Sequence, residues 1–118
     1  MKKTVLIIED NEQNLYLTTF LLERAGFNVI SAMNGPEGIS MAVKFRPDLI
    51  LLDIQLPQVD GYTVARELRK NVSLNEVPII AVTSYAMTGD RERALKAGCT
   101  GYIEKPIDPD TFMNEVEQ

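Results

Sequence analysis

The sequence predicts an α/β protein with a parallel β-sheet that is covered by helices on both faces. Three stretches, residues 4–8 (TVLII), 49–52 (LILL) and 77–82 (VPIIAV), are almost entirely apolar. Continuous rather than alternating hydrophobicity is typical of strands buried on both faces. Two weaker stretches, 27–32 and 101–104, are expected to form the edge strands. Helical segments alternate with these strands, which favours a doubly wound arrangement.

The first two helices have recognisable ends. Asn11 is the predicted N-cap of a helix that runs to Ala25, and Gly26 is expected to stop it because glycine adopts the left-handed backbone of a helix C-terminus. Pro36 fits the first turn of a second helix that reaches about Phe45. Each helix therefore provides the crossover that joins two parallel strands.

Three further helices complete the alternation. Residues 61–70 and 88–97 are predicted to form the third and fourth helices, and the fifth is predicted to open at Asp108 and Pro109. Helical spacing predicts which apolar side chains of the third and fourth helices pack against the sheet. These core candidates are Val64, Ala65, Leu68, Ala94, Leu95 and Ala97.

The whole chain, residues 1–118, is expected to form one domain with no output domain. The single cysteine, Cys99, suits the reducing cytoplasm, and no apolar stretch approaches the ~20 residues of a membrane span. The net charge of −5 and the scattered basic residues argue against nucleic-acid binding. The chain contains no histidine, which excludes a Ser-His-Asp triad, histidine metal ligands and a phosphohistidine on this chain. We therefore expect a cytoplasmic protein that contacts neither nucleic acid nor membrane.

Polar residues follow four of the five predicted strands. Parallel strands end at one edge of the sheet, and ligands bind outside that edge. The residues at these strand ends are Glu9 and Asp10, then Asp53, then Thr83 and Ser84, and finally Glu104, Lys105 and Pro106. The sequence therefore predicts a single polar site at the carboxyl edge.

The three acidic residues of this site, Glu9, Asp10 and Asp53, would repel one another if they were packed closely without a cation. Ligands that are all oxygen suit Mg²⁺, or Mn²⁺ in its place. Lys105 adds a positive charge and Thr83 a hydroxyl donor. A carboxylate, a hard cation, an ammonium group and a hydroxyl are the groups required for phosphoryl transfer to an aspartate.

Each residue also has a simpler structural interpretation. Acidic residues at positions 9 and 10 favour a helix N-terminus, and an aspartate such as Asp53 often opens a loop. Thr83 suits a strand end, and a lysine and a proline at positions 105 and 106 are common at a surface turn. Tyr102 is by the same reasoning an edge-strand aromatic and Cys99 a small buried side chain. The joint placement at one sheet edge favours the functional interpretation.

Four stretches resemble the receiver domain of two-component response regulators over essentially the whole chain. They are VLIIEDN (5–11), PDLILLDIQLPQVDG (47–61), PIIAVTSYA (78–86) and AGCTGYIEKPID (97–108). Their order and spacing make the resemblance specific. It implies a flavodoxin-like fold with strand order 2-1-3-4-5.

The resemblance implies a role for each acidic residue. Asp53 would be the phosphoacceptor, Asp10 the direct Mg²⁺ ligand and Glu9 a ligand that acts mostly through a metal-bound water. Gln55 would contribute its backbone carbonyl to the metal. Its side chain falls at a position that tunes the lifetime of the phosphoryl group in the family.

The resemblance also implies a switch. Thr83 and Lys105 would contact the phosphoryl group, and Tyr102 would turn inward when Thr83 is drawn toward it. The peptide bond between Lys105 and Pro106 would be cis. Tyr85, like Gln55, would tune the phosphoryl lifetime. Phosphorylation adds about two negative charges, and the face formed by residues 85–89 and the following helix would repack in response.

The implied function is therefore a phosphoacceptor module that acts through protein contacts. Its partners would be a histidine kinase, a histidine phosphotransfer protein or both, and a downstream target protein. The chain would catalyse only its own phosphorylation and dephosphorylation, as a monomer or weak dimer.

Two alternatives remain open at this point. The chain could be a scaffold that works without phosphorylation, against which the complete set of site residues argues. It could also be a small Mg²⁺-dependent phosphatase of the haloacid dehalogenase kind. Members of that family carry an Asp-x-Asp motif in which the first aspartate is the nucleophile and the second is a general acid/base. Here Gln55 stands at the second position, and glutamine cannot shuttle a proton.

Overall fold

The computed structural model describes residues 2–56, 59–83 and 88–104. In this part of the chain β-strands and helices alternate from the first strand to the last. The strands are β1 (Thr4–Ile8), β2 (Asn28–Ala32), β3 (Leu49–Asp53), β4 (Ile79–Thr83) and β5 (Gly101–Glu104). The helices are α1 (Glu12–Arg24), α2 (Gly35–Phe45), α3 (Gly61–Lys70) and α4 (Asp90–Ala97), with one turn of 3-10 helix at Val72–Leu74. The predicted fifth helix, opening at Asp108 and Pro109, lies outside the described residues.

The five strands form one parallel sheet in the order β2-β1-β3-β4-β5. Both the α/β fold class and the predicted strand order are confirmed. The two weakly apolar strands, β2 and β5, are the edge strands, as expected. Every residue of β3 and of β4 is buried, because each central strand has a neighbour on both sides and side chains packed on both faces.

The core lies in two layers, one on each face of the sheet. On one face, alternate residues of the strands pack with buried side chains of α2, α3 and α4, including Ala42, Leu68 and Ala94. On the other face, the intervening residues pack with Leu22 of α1. Because side chains of a strand alternate in direction, one continuous apolar run supplies both layers.

The first three helices begin at side-chain caps. Asn11 Oδ1 accepts a hydrogen bond from the Asn14 N–H at 3.0 Å, as predicted, and Asn34 and Asp60 cap α2 and α3 in the same way. Gly26 has a φ of 97° just after α1. The sequence therefore located these helices within about one residue, because their caps are coded locally.

The structure corrects three details. The fourth strand begins at Ile79 rather than at residue 77, because the Val77 N–H bonds the Leu74 carbonyl within a turn. Helix α4 begins at Asp90 rather than at residue 88. Leu95 was wrong as a core candidate, since it is 45% exposed; it lies about 100° around the helix from the buried Ala94. Within the described residues, every helix is too short or too polar to span a lipid bilayer.

Candidate metal centre

Three carboxylates meet at the carboxyl edge of the sheet. Ile8 pairs with Leu52 across β1 and β3, so that Glu9 and Asp53 follow paired residues at neighbouring strand ends. Asp10 comes next in the chain. One carboxylate oxygen from each of the three residues lies within 4.8 Å of the others. Residues 43 positions apart in the chain are thus brought together by strand pairing alone.

The three carboxylates differ in exposure. Glu9 is 5% exposed and Asp53 is 4% exposed, whereas Asp10 faces solvent. The Asn11 N–H donates to Glu9 Oε2 at 3.3 Å, and the Gln55 N–H donates to Asp53 Oδ1 at 2.9 Å. These bonds orient the two buried carboxylates. Two carboxylates of low exposure thus lie close together, an arrangement that a cation stabilises.

The donor chemistry of the cluster fits Mg²⁺. All three side chains offer hard oxygen ligands, and Mg²⁺ prefers a few carboxylates together with several retained waters. A cavity of about 10 Å³ adjoins Glu9 and Asp53, with apolar walls that include Ile7, Leu51 and Val82. The cluster is open to solvent on the side of Asp10, which is exposed.

Gly61, the first residue of α3, determines how closely that helix approaches Asp53. The Gly61 N–H donates to the Ile54 carbonyl at 2.9 Å. A Cβ atom at Gly61 would lie 2.5 Å from Ile54 Cα and 2.7 Å from the Asp53 carbonyl oxygen. Only glycine fits this contact without moving the backbone that carries Asp53. In the sequence Gly61 is recognisable as a helix start, and the Asp60-Gly61 pair is the local signal of a tight turn there.

Thr83 ends β4 next to β3 and is 2% exposed. On the adjacent strand, Tyr102 pairs with Ala81, two residues before Thr83, so that the side chains of Tyr102 and Thr83 lie on the same face of the sheet. Tyr102 packs against the layer that α3 and α4 cover. The predicted switch pair therefore shares one face.

Four residues of the predicted site region lie outside the described residues. They are Ser84, Tyr85, Lys105 and Pro106. The contact of Lys105 with a phosphoryl group and the cis peptide bond before Pro106 remain predictions. Gln55 is described, and it lies next to the cluster with its side chain exposed.

Comparison with known proteins places this geometry in a family. The family model for the response regulator receiver domain matches residues 5–117. The chain belongs to this family. The resemblance seen in the sequence is confirmed, and with it a place in two-component signalling.

The similar proteins include the polar-differentiation response regulator DivK of Brucella anthropi. It is 45% identical over 117 residues, which are 99% of this chain and 95% of that protein. The Brucella ovis DivK is 44% identical over the same coverage.

Solved structures of receiver domains have the same fold as this chain. The receiver domain of a sensor histidine kinase from Pseudomonas aeruginosa PAO1 has a TM-score of 0.92 and 34% identity, over 99% of this chain and 96% of that one. That structure is described with a magnesium ion coordinated in its active-site cleft. Chemotaxis protein CheY4 of Vibrio cholerae has a TM-score of 0.94 and 25% identity, over 99% of this chain and 98% of that one.

Proposed function

We propose that this chain is the phosphoacceptor of a two-component or phosphorelay system, with Asp53 as the residue that receives the phosphoryl group. The observation that carries the proposal is the convergence of Glu9, Asp10 and Asp53 within 4.8 Å at the carboxyl edge. Two of these carboxylates are buried and oriented by backbone N–H groups, and the third, Asp10, faces solvent.

A Mg²⁺ ion would be held by the carboxylates of Asp10 and Asp53, by Glu9 through a metal-bound water, and by the Gln55 backbone carbonyl. When bound, this ion supplies positive charge that neutralises phosphoryl oxygens. Asp10 is the exposed member and the entry point for the hydrated ion. Glu9, oriented by the Asn11 N–H, is a buried member of the cluster.

In the proposed transfer, an Asp53 carboxylate oxygen attacks the phosphorus of a partner's phosphohistidine. A P–O bond forms, the P–N bond breaks, and its electron pair returns to the imidazole nitrogen. The Gln55 N–H on Asp53 Oδ1 orients the carboxylate. Thr83 and Lys105 would donate to the phosphoryl oxygens as negative charge develops there.

The partners follow from this chemistry. The donor is a histidine kinase or a histidine phosphotransfer protein, and the readout is a change in affinity for a downstream protein. The chain contains no histidine, so that the phosphohistidine must belong to the partner. We propose a cytoplasmic module that is a monomer or weak dimer, and that catalyses only its own phosphorylation and dephosphorylation.

The test is incubation with acetyl phosphate and Mg²⁺, followed by intact-mass measurement. One phosphoryl group is expected on the wild type, and none on Asp53→Asn or in excess chelator. Asp48→Asn is the matched control because Asp48 lies just before the same strand, at the opposite edge of the sheet, and its Oδ2 accepts the Thr4 N–H. Asparagine retains an acceptor there, so labelling should be unchanged.

Labelling of Asp53→Asn at the wild-type rate would contradict the assignment. A wild type that takes no phosphoryl group, yet binds partners regardless of position 53, would favour the scaffold alternative. Rapid turnover of small phosphomonoesters would favour the phosphatase.

A further inference from the structure

The cavity of about 10 Å³ beside the acidic cluster has polar walls as well as apolar ones. The polar residues among its described walls are Glu9 and Asp53, which belong to the cluster, and Thr18, which belongs to α1. In the part of the chain that the structure describes, four polar or charged residues are buried, these three and Thr83. Three of the four therefore meet at one small cavity.

Strand alternation places this cavity on the α1 face of the sheet. Leu51 belongs to the core layer that contains Leu22 of α1. Asp53 follows two residues later, and side chains two positions apart on a strand point to the same face. Ile7 pairs with Leu51 and lies in the same layer, and Glu9 stands two residues after Ile7. The two buried carboxylates and α1 thus lie on the same side of the sheet.

Thr18 interrupts the apolar stripe of α1. Leu15, Thr18 and Leu22 are three and four residues apart, so that they share one face of the helix. Leu22 is fully buried, Leu15 packs against the same layer, and Thr18 is 6% exposed. Threonine is shorter than the leucines on either side of it, and its hydroxyl can donate one hydrogen bond and accept two. Position 18 therefore supplies both space and hydrogen-bonding capacity beside the carboxylates.

The size and the polarity of the cavity fit one water molecule. A buried water needs about 10–15 Å³ and two or more polar partners, whereas a cavity lined only by apolar groups stays dry. Here the hydroxyl of Thr18 and the two acidic residues are available as partners. A carboxylate accepts hydrogen bonds at about four lone-pair sites, so that a water adds to the backbone bonds of Glu9 and Asp53 without replacing them.

We propose that this cavity binds one water molecule that joins the Thr18 hydroxyl to the buried carboxylates, and that Thr18 is through this water a positioning residue for Asp53. The water site follows from the cavity alone, and its effect on transfer rests on the proposed function. The Gln55 N–H restrains Asp53 Oδ1 from the connection after β3. The water adds a restraint from the side of α1, so that the orientation of the attacking carboxylate depends on both.

The first test is a high-resolution crystal structure of the wild type and of Thr18→Val. One ordered water is expected in the wild-type cavity, within hydrogen-bond distance of Thr18 Oγ1 and of a carboxylate oxygen. Valine has nearly the shape of threonine but no hydroxyl, so that the water should be missing from Thr18→Val. A wild-type cavity without water, or the same water in Thr18→Val, would overturn the proposal.

The second test is the rate of labelling by acetyl phosphate at saturating Mg²⁺. Thr18→Val should be labelled about fivefold more slowly, the factor that corresponds to one hydrogen bond of ordinary net strength. Thr19→Val is the matched control, because it makes the same chemical change about 100° around the helix. Thr19 is half-buried and is not among the described walls of the cavity, so that its variant should be labelled at the wild-type rate.

Thr18→Ser separates positioning from packing. Serine keeps the hydroxyl and loses a methyl group, whereas valine keeps the volume and loses the hydroxyl. A positioning role predicts that Thr18→Ser retains the water and is labelled close to the wild-type rate. A packing role predicts the reverse order, with Thr18→Ser slower than Thr18→Val, and that order would overturn the proposal. Urea unfolding of the variants shows that each is folded under the labelling conditions.

A failure of the proposed function gives a different result. The wild type would then take no phosphoryl group, while its crystal structure would still show the water on Thr18. Conversely, a wild type that is labelled at Asp53 with a dry cavity would overturn the water site and leave the phosphoacceptor assignment intact.

Discussion

At the scale of single residues, the acidic site depends on how β3 ends. Asp53 is the last residue of a strand that is buried throughout, and its carboxylate is oriented by the Gln55 N–H. Gly61 packs against the Asp53 backbone. The position of the carboxylate is therefore determined by contacts on the main chain as well as by the side chain itself.

We expect Gly61→Ala to weaken Mg²⁺ binding and to destabilise the fold by about 1–3 kcal/mol, the range for overpacking a close contact. The new Cβ would meet backbone atoms at 2.5 and 2.7 Å, and backbone cannot rotate away as a flexible side chain can. Calorimetric titration with Mg²⁺ and urea unfolding measure the two effects.

Gly26→Ala provides the control for this substitution. Gly26 has a φ of +97° and nothing within 4 Å of its hypothetical Cβ, so alanine there costs backbone strain of about 1 kcal/mol without touching the site. Wild-type Mg²⁺ affinity in Gly61→Ala would show that the close approach does not position Asp53.

The sequence revealed the acidic residues because they stand at strand ends, a local feature. It gave no indication of the contact between Tyr62 and Asp90. These residues are 28 positions apart, neither lies at the end of an apolar strand, and their meeting depends on how α3 packs against α4. The receiver resemblance added the role of Tyr102, but not the burial of its hydroxyl without a hydrogen-bond partner among the described residues.

At the scale of elements, helix starts with a polar cap were predictable and the start of α4 was not. Asn11 lies one residue before its helix and binds an N–H of the first turn. Helix α4 instead follows Gly89, which has a φ of 90° and offers no side-chain cap. The sequence around residue 88 therefore lacks a polar capping side chain of the kind that marks the start of α1.

Arg69 joins three elements at the edge of the sheet opposite the acidic site. Its guanidinium donates to the carbonyls of Leu74 and Val77 at 2.8 and 2.7 Å, and to the Gly98 carbonyl at 2.8 Å. These carbonyls belong to the connection before β4 and to the end of α4. Arg69 thus ties the segment before β4 and the segment before β5 to α3.

We expect Arg69→Met to destabilise the protein by about 2–4 kcal/mol, since part-buried carbonyls lose charge-assisted donors. Urea unfolding measures the change. Arg66→Met on the same helix is the control, because Arg66 is exposed and the hydrogen bond described for its guanidinium goes to the Thr63 hydroxyl at 3.3 Å. Equal losses for the two variants would contradict the assigned role.

At the scale of the whole molecule, burial patterns predicted a parallel sheet and its two edges, but not the order of its three central strands. The runs in β1, β3 and β4 are alike in apolar character, and nothing in their residues distinguishes which is central. The order came from the receiver resemblance. The packing of α3 against the segment after α4, which places the Arg69 guanidinium on the Gly98 carbonyl next to Cys99, is likewise absent from any local pattern.

The buried thiol makes the stability of the whole fold depend on pH. Burial raises the pKa of Cys99 from 9.0 to about 11, an effect that the charge of Arg69 partly opposes. The folded state therefore holds this proton more tightly than the unfolded chain. The contribution of this proton to the free energy of unfolding is fully present below pH 9 and is lost as the pH rises to about 11, a change of about 2–3 kcal/mol.

Cys99→Ala should therefore lose less stability than the wild type between pH 9 and pH 11, whatever its stability at pH 7. Urea unfolding at several pH values measures the two slopes. The contribution of Tyr62, whose pKa rises from 10.0 to about 12, is common to both proteins and cancels in the comparison. Parallel slopes would contradict the assignment to Cys99.

The most direct test of the account is to locate the phosphoryl group on the chain. Borohydride reduces an acyl phosphate to an alcohol, which converts a phosphorylated aspartate to homoserine that tandem mass spectrometry can locate. After treatment with acetyl phosphate and Mg²⁺, we expect homoserine at position 53 alone, and none without the cation. Homoserine at another acidic residue, or labelling that is independent of Mg²⁺, would contradict a site built from Glu9, Asp10 and Asp53.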